Sequence, residues 1–158
     1  MTNGSSMEIS MKRIVFICLG NICRSPMAEF VFKKLAADCG REKDFEVCSR
    51  ATSDEEAGNP VYPYAEAELK KHGISCRGKY AVQLKKSDYA AADLFVCMDD
   101  GNVRSATRIF GGDPLGKIVK LPSFYGSDED IADPWYTRRF DVAYEQIEKG
   151  CLAMLEAL

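Results

Sequence analysis

The sequence predicts an α/β domain in three layers, a central four-stranded parallel sheet with helices on both faces. Two observations carry this. Four short apolar runs, Ile14 to Cys18, Phe45 to Ala51, Leu94 to Met98 and Lys117 to Leu121, have the length and composition of strands. Between them lie segments whose apolar residues recur at helical spacing. Strands that alternate with helices are joined by right-handed crossovers, which makes the strands parallel and lays the helices on the two faces of the sheet. At 158 residues the chain is long enough for one domain with its own core, and neither a repeat nor a linker divides it.

The elements follow in order. Residues 1–11 are small and polar apart from their methionines, and read as a disordered leader or cloning remnant ahead of a single domain over 12–158. The first strand ends at Cys18, a turn-prone loop follows, and Pro26 suits the first turn of a helix. In that helix Met27, Phe30, Val31 and Leu35 form an apolar face, Lys33, Lys34 and Asp38 take the other side, and Gly40 closes it. After the Phe45 to Ala51 strand, residues 52–63 are rich in Ser, Asp, Glu, Gly, Asn and Pro and read as a surface loop. A helix from about Tyr64 to His72 ends at Gly73, with His72 favoured by the macrodipole at its C-terminus. Ser87-Asp88 is placed to cap a short helical turn before the third strand. A helix over 102–110 stops at Gly111-Gly112, and beyond the last strand Pro122 to Trp135 reads as a long acidic loop. The final helix carries one apolar stripe: Phe140, Ala143, Tyr144, Ile147, Cys151, Met154, Leu155 and Leu158.

Composition narrows the function classes. A net charge of -3 without a basic block argues against nucleic acid or an anionic membrane as partner. No apolar run approaches the length a bilayer requires and no signal peptide is legible, so a cytoplasmic protein is expected. Seven cysteines is an odd number, scattered through apparently buried elements, which reads as reduced thiols. Apart from Cys18 and Cys23 they are expected in the core. One histidine and no Cys-x-x-Cys pair argue against a zinc site, and no metal or other cofactor is expected.

The chemistry concentrates in Cys18-Leu19-Gly20-Asn21-Ile22-Cys23-Arg24-Ser25. A strand, a loop and a helix N-terminus make an anion cradle, because the first amides of a helix lack internal partners and the macrodipole adds positive charge there. A thiol in that position is expected to ionise. Gly20 and Asn21 are the residues that best tolerate left-handed backbone angles, which the loop needs if its amides are to converge on one anion. Arg24 turns its planar fork towards two oxygens of a bound phosphate, and the Ser25 hydroxyl is placed to donate to the sulfur. Three acidic residues of the late loop, Asp128, Asp130 and Asp133, are candidates for a proton donor; the spacing to the last helix and the Pro134-Trp135 sequel favour Asp133.

The run Val15-Phe16-Ile17-Cys18-Leu19-Gly20-Asn21-Ile22-Cys23-Arg24-Ser25-Pro26-Met27-Ala28-Glu29 closely resembles the signature of the low-molecular-weight protein tyrosine phosphatases. The resemblance extends from Lys12 to the final helix and includes Ala51-Thr52-Ser53-Asp54, His72-Gly73-Ile74, Cys97-Met98-Asp99 and Asp133-Pro134. It implies Cys18 as nucleophile, Arg24 as phosphate clamp, Asn21 and Ser25 as the pair that organises the loop, and Asp133 as general acid. A phosphocysteine would form and then be hydrolysed without a metal. The resemblance also suggests that Cys23 traps an oxidised Cys18 as a disulfide. The implied partner is a tyrosine-phosphorylated protein, and bacterial relatives often oppose tyrosine kinases.

Three departures from the family pattern bear on substrate. Glu55-Glu56 stand where many members have an aromatic residue walling the substrate ring; Trp135 stands where tyrosine is common and, with Tyr136, keeps the opposite wall. The histidine-arginine run of the family is absent from Lys79-Tyr80-Ala81-Val82, which leaves a supporting hydrogen-bond network to be found elsewhere. Phosphotyrosine hydrolysis with altered peptide preference is expected, with basic residues near the phosphotyrosine favoured by Glu55 and Glu56. Arsenate reductases of this fold use two further closely spaced cysteines, where this chain has only Cys76; arginine phosphatases typically have threonine at the position of Ile22. A non-catalytic phosphopeptide-binding module would need neither the thiol nor the acid.

Overall fold

The computed structural model describes residues 11–158, so the expected leader lies outside the described residues except for Met11, which is exposed. Four strands, β1 (Lys12–Cys18), β2 (Phe45–Ala51), β3 (Leu94–Cys97) and β4 (Ile118–Lys120), form one sheet in the order β2-β1-β3-β4. All neighbours are parallel, with Cys18 opposite Ala51 and Ile17 opposite Cys97. The helices are α1 (Arg24–Asp38), α2 (Pro63–Lys71), α3 (Asp88–Ala91), α4 (Asp100–Phe110), α5 (Pro134–Thr137) and α6 (Phe140–Ala157).

The period-two geometry of β1 divides the core between two faces. Ile14 and Phe16 pack with Met27, Val31 and Phe32 of α1, Leu69 of α2, and Ile147 and Met154 of α6. Val15 and Ile17 point the other way, against Phe95, Leu84, and Ala106 and Phe110 of α4. The expected three-layer sandwich is therefore present. The chain leaves β1 for β2 on one side and returns to β3 on the other, so the strand order switches direction at β1. Such a switch opens a crevice beyond the carboxyl ends of the strands. Cys18 stands there.

Several local expectations change. The first helix buries more than one stripe: Ala28, Phe32 and Ala36 are buried as well, because α1 is covered by the sheet, α2 and α6 together. Ser87 makes no capping bond; Asp88 instead accepts the Lys85 N–H at 2.8 Å. The strong cap is Asp99, whose carboxylate accepts from Asn102 N (2.7 Å) while Asn102 Oδ1 accepts from Asp99 N (3.2 Å), a reciprocal box that starts α4 two residues before the expected 102. The acidic loop is not featureless, since it opens with a 3-10 turn at Leu121–Tyr125 and closes with α5. His72 caps the end of α2, bonded to Glu68 at 3.1 Å and stacked on Tyr144.

All seven cysteines are free thiols. Cys76, Cys97 and Cys151 are buried as expected, but Cys39 is exposed just past the last turn of α1, and Cys48 is half-buried on the edge strand β2, where only one neighbouring strand covers it. Among the described residues no helix is long and apolar enough to cross a membrane.

Candidate active site

The Cys18 sulfur sits under a ring of donors. Asn21 N and Ser25 N point to it at 3.3 and 3.4 Å, and Ser25 Oγ lies 3.0 Å away. Asn21 takes the left-handed conformation (φ 59), as its residue type allows. Gly20 does not; a Cβ added there would lie 3.3 Å from Glu56 Cγ, a tight contact that the Glu56 side chain would have to yield to. The loop is held from outside by Thr52 N to Cys18 O, Ser53 N to Leu19 O and Tyr62 N to Ile22 O, each about 3 Å long.

Beneath the loop runs a buried polar chain with a defined direction. Val82 N donates to Asn21 Oδ1 (3.0 Å), which forces the amide nitrogen of Asn21 towards Ser25 Oγ (2.7 Å) and Ser49 Oγ (2.9 Å). Ser25 Oγ also accepts from the Cys18 thiol at 3.0 Å, and its own hydrogen is available to the sulfur once that sulfur is a thiolate. Ser49 in turn donates to Glu29 Oε1 at 2.6 Å, and Lys33 closes the far end at 2.7 Å from Glu29 Oε2. Lys79 donates to Ser49 O (3.0 Å) and stands 3.9 Å from Glu29, so a lysine occupies the segment where the expected histidine-arginine run is absent. Burial pushes the Lys79 ammonium down from its ordinary range, against the pull of Glu29.

Arg24, the first residue of α1, is 2% exposed. Its Nη1 donates to Asp99 Oδ2 (2.8 Å) and Ile131 O (2.6 Å), and its Nη2 is 3.5 Å from Asp133 Oδ2. Burial works against its charge, but Cys18, Asp133 and Asp99 together outweigh it and raise the guanidinium further. Asp133 caps α5 through Oδ1, which accepts from Trp135 N at 3.0 Å, and so keeps Oδ2 for the site. Asp130 is bonded to Lys120 at the far side of the loop, and Asp128 offers Lys120 its carbonyl; neither lines the pocket.

The pocket is lined by Cys18, Leu19, Gly20, Ile22, Cys23, Arg24 and Asp133 together with Glu55, Glu56, Trp135 and Tyr136. Asn21 and Ser25 lie below its floor. Glu56 is tied to Asn59 Nδ2 at 2.8 Å, whereas no partner among the described residues neutralises the Glu55 carboxylate. Cys23 shares the pocket, but burial raises its thiol far above the ordinary range, with the charges of Cys18 and Asp133 adding to the effect. Cys76 lies outside it.

Sequence reasoning missed five contributors. Asp99, which holds Arg24, stands two residues beyond β3 as the cap of α4; its place after a central strand was the available signal. Ser49 and Glu29 carry no local signature. Tyr62 braces Trp135 from behind with ring centroids 4.7 Å apart, and Arg138, in the left-handed conformation, lies over Tyr62 and bonds its hydroxyl at 3.2 Å.

One crevice beyond the carboxyl ends of a parallel sheet thus brings together a cysteine, a buried arginine and a carboxylate. The family model described as low molecular weight phosphotyrosine protein phosphatase matches residues 13–158. A curated relative of that description from Rattus norvegicus is 36% identical, the alignment covering 94% of this chain and 97% of the relative. The crystal structure of YfkJ from Bacillus subtilis superposes with a TM-score of 0.90 at 35% identity and 94% coverage of each chain. That of a Drosophila arginine phosphatase gives 0.84 at 28% identity, covering 93% of this chain and 97% of its own. The chain belongs to the low molecular weight phosphotyrosine protein phosphatases, a family of protein phosphatase enzymes.

Proposed function

We propose that the chain hydrolyses protein phosphotyrosine, and small aryl phosphates, through a phosphocysteine at Cys18. The observation that carries this is the convergence of the donor-ringed sulfur, the Arg24 fork and the Asp133 carboxyl on one pocket with an aromatic wall. The Cys18 thiolate attacks phosphorus in line as the bond to the phenolic oxygen breaks. Arg24, anchored through Nη1, offers its Nη2 side to the equatorial oxygens beside the loop amides. Asp133 gives its proton to the departing oxygen. The resulting carboxylate then takes a proton from water as that water attacks the phosphocysteine, which releases phosphate and restores the thiolate. No step calls on a metal. Acid quenching during turnover should leave one phosphoryl group on the peptide that contains Cys18; label on any other residue would overturn the mechanism.

The Drosophila comparison shows that fold alone does not choose between phosphotyrosine and phosphoarginine. Ile22 on the pocket lining and the Trp135 ring favour an aromatic leaving group over a guanidinium. Cys76 is buried and away from the pocket, where only Cys23 joins Cys18, so an arsenate-reductase relay lacks the further pair of thiols it uses.

The unpaired Glu55 carboxylate at the mouth favours a cation beside the phosphotyrosine. Glu55→Lys should reverse the preference between basic-flanked and acidic-flanked phosphopeptides in kcat/KM while p-nitrophenyl phosphate turnover changes little. Equal turnover of both peptides by the parent enzyme would refute the idea. Oxidation of Cys18 by peroxide to the sulfenic acid, followed by attack of the Cys23 thiol with loss of water, would close a disulfide that an external thiol reopens. We place the enzyme in the cytoplasm, where seven free thiols persist, acting on a tyrosine-phosphorylated protein such as a bacterial tyrosine kinase.

A further inference from the structure

Between Gly126 and Pro134 the chain has no regular secondary structure, yet it carries Asp133 into the pocket. Two residues hold it. Ile131, fully buried, donates its backbone N–H to Met98 O (2.9 Å) and its carbonyl accepts from Arg24 Nη1 (2.6 Å). The other is Lys120, the last residue of β4, whose side chain is 10% exposed. Its ammonium donates to Asp100 Oδ1 (3.0 Å), Asp130 Oδ1 (2.9 Å) and the Asp128 carbonyl, which matches the donor capacity of a lysine. Asp130 Oδ1 also accepts from Asp100 N at 3.1 Å. Asp100 follows Asp99, the anchor of Arg24, so one ammonium ties the acid-bearing segment to the strand-helix junction that holds the phosphate clamp. Without it, two carboxylates sharing one position would repel and push the segment outward.

We propose that Lys120 is a positioning residue for proton donation: it sets the placement of Asp133 over Cys18. The proposal rests on the reading of Asp133 as general acid, and it predicts an effect selective for the step that needs a proton. Lys120→Met should lower kcat/KM on phenyl phosphate about tenfold, since misplacing an acid forfeits part of its contribution, while p-nitrophenyl phosphate, whose leaving group needs little protonation, changes by about twofold or less. Lys120→Arg, which keeps the charge and reaches both carboxylates, should restore most of the loss. Asp130→Asn, which loosens only the loop side of the staple, should show the same selectivity and serves if Lys120→Met folds poorly.

The measurement is a double-mutant cycle with Asp133→Ala on the two substrates. If Asp133→Ala shows no dependence on leaving group, the reading of Asp133 fails. If it does, but Lys120→Met slows both substrates equally, or slows phenyl phosphate as much in the Asp133→Ala background as alone, Lys120 does not act through Asp133 and the proposal is overturned.

Discussion

Cys18→Ser should abolish turnover of aryl phosphates, by at least about 10³-fold, while leaving the anion site intact. The reasons are separable. The cradle is built by Asn21 N, Ser25 N and the Arg24 guanidinium, none of which the substitution removes. A serine hydroxyl, however, stays protonated where a thiol can ionise, and the groups around it do not take its proton: Asn21 and Ser25 offer N–H donors to this position, Arg24 is a cation, and Asp133 must itself carry a proton for the leaving group. Cys23 cannot substitute, because burial and the charges of Cys18 and Asp133 hold its proton in place. Inorganic phosphate should therefore raise the melting temperature of Cys18→Ser as well as that of the parent enzyme. Turnover close to that of the parent would sink the mechanism; loss of both turnover and phosphate stabilisation would mean that the loop had collapsed, and the variant would then say nothing for the thiol.

Asp133→Ala and Asp133→Asn should each cost about 10²- to 10⁴-fold in kcat/KM on phenyl phosphate, since either removes the transferable proton. They should part company in stability. Asp133 Oδ1 caps α5 by accepting from Trp135 N, and asparagine caps a helix about as well as aspartate, whereas alanine forfeits a contribution of about 1 kcal/mol. A calorimetric comparison separates the two roles: equal loss of activity with a lower melting temperature only for alanine is expected. Activity retained by Asp133→Asn would show that Asp133 matters as a cap and not as an acid.

The part of the site legible in the sequence is the part made by contiguous residues. The apolar run Ile14 to Ile17, Cys18 at its end, the loop and Pro26 belong to one stretch, and the backbone angle at Asn21 and the start of α1 follow from the residue types there. Asp133 was legible because proline and two aromatics follow it, a local pattern that became a one-turn helix with Asp133 as its cap. Helix faces read from a single stripe fare worse: the Met27, Phe30, Val31 and Leu35 stripe leaves out Phe32, yet Phe32 is fully buried between β1 and β2 side chains, because a helix covered by the sheet and by two other helices buries a wider arc than one stripe.

Tertiary structure alone decided which distant residues complete the cradle. Strand order brings the end of β3 beside Cys18, so the Asp99 that follows it supplies the carboxylate hydrogen-bonded to Arg24 Nη1. The same pairing seats Ser49 of β2 and Glu29 of α1 under the loop, and lets Lys79 stand in the network where the family pattern would put a histidine. It also separates Asp130 from Asp133: three residues apart in an acidic segment, one is stapled to Lys120 and the other is turned into the pocket. Periodicity and turn chemistry act over a few residues, whereas these partners lie tens of residues apart and meet only because a parallel sheet gathers all its carboxyl ends at one edge. A nucleophile and its loop were thus written in one stretch of chain, and the arginine's anchor, the sulfur's buried support and the placement of the acid were settled by packing.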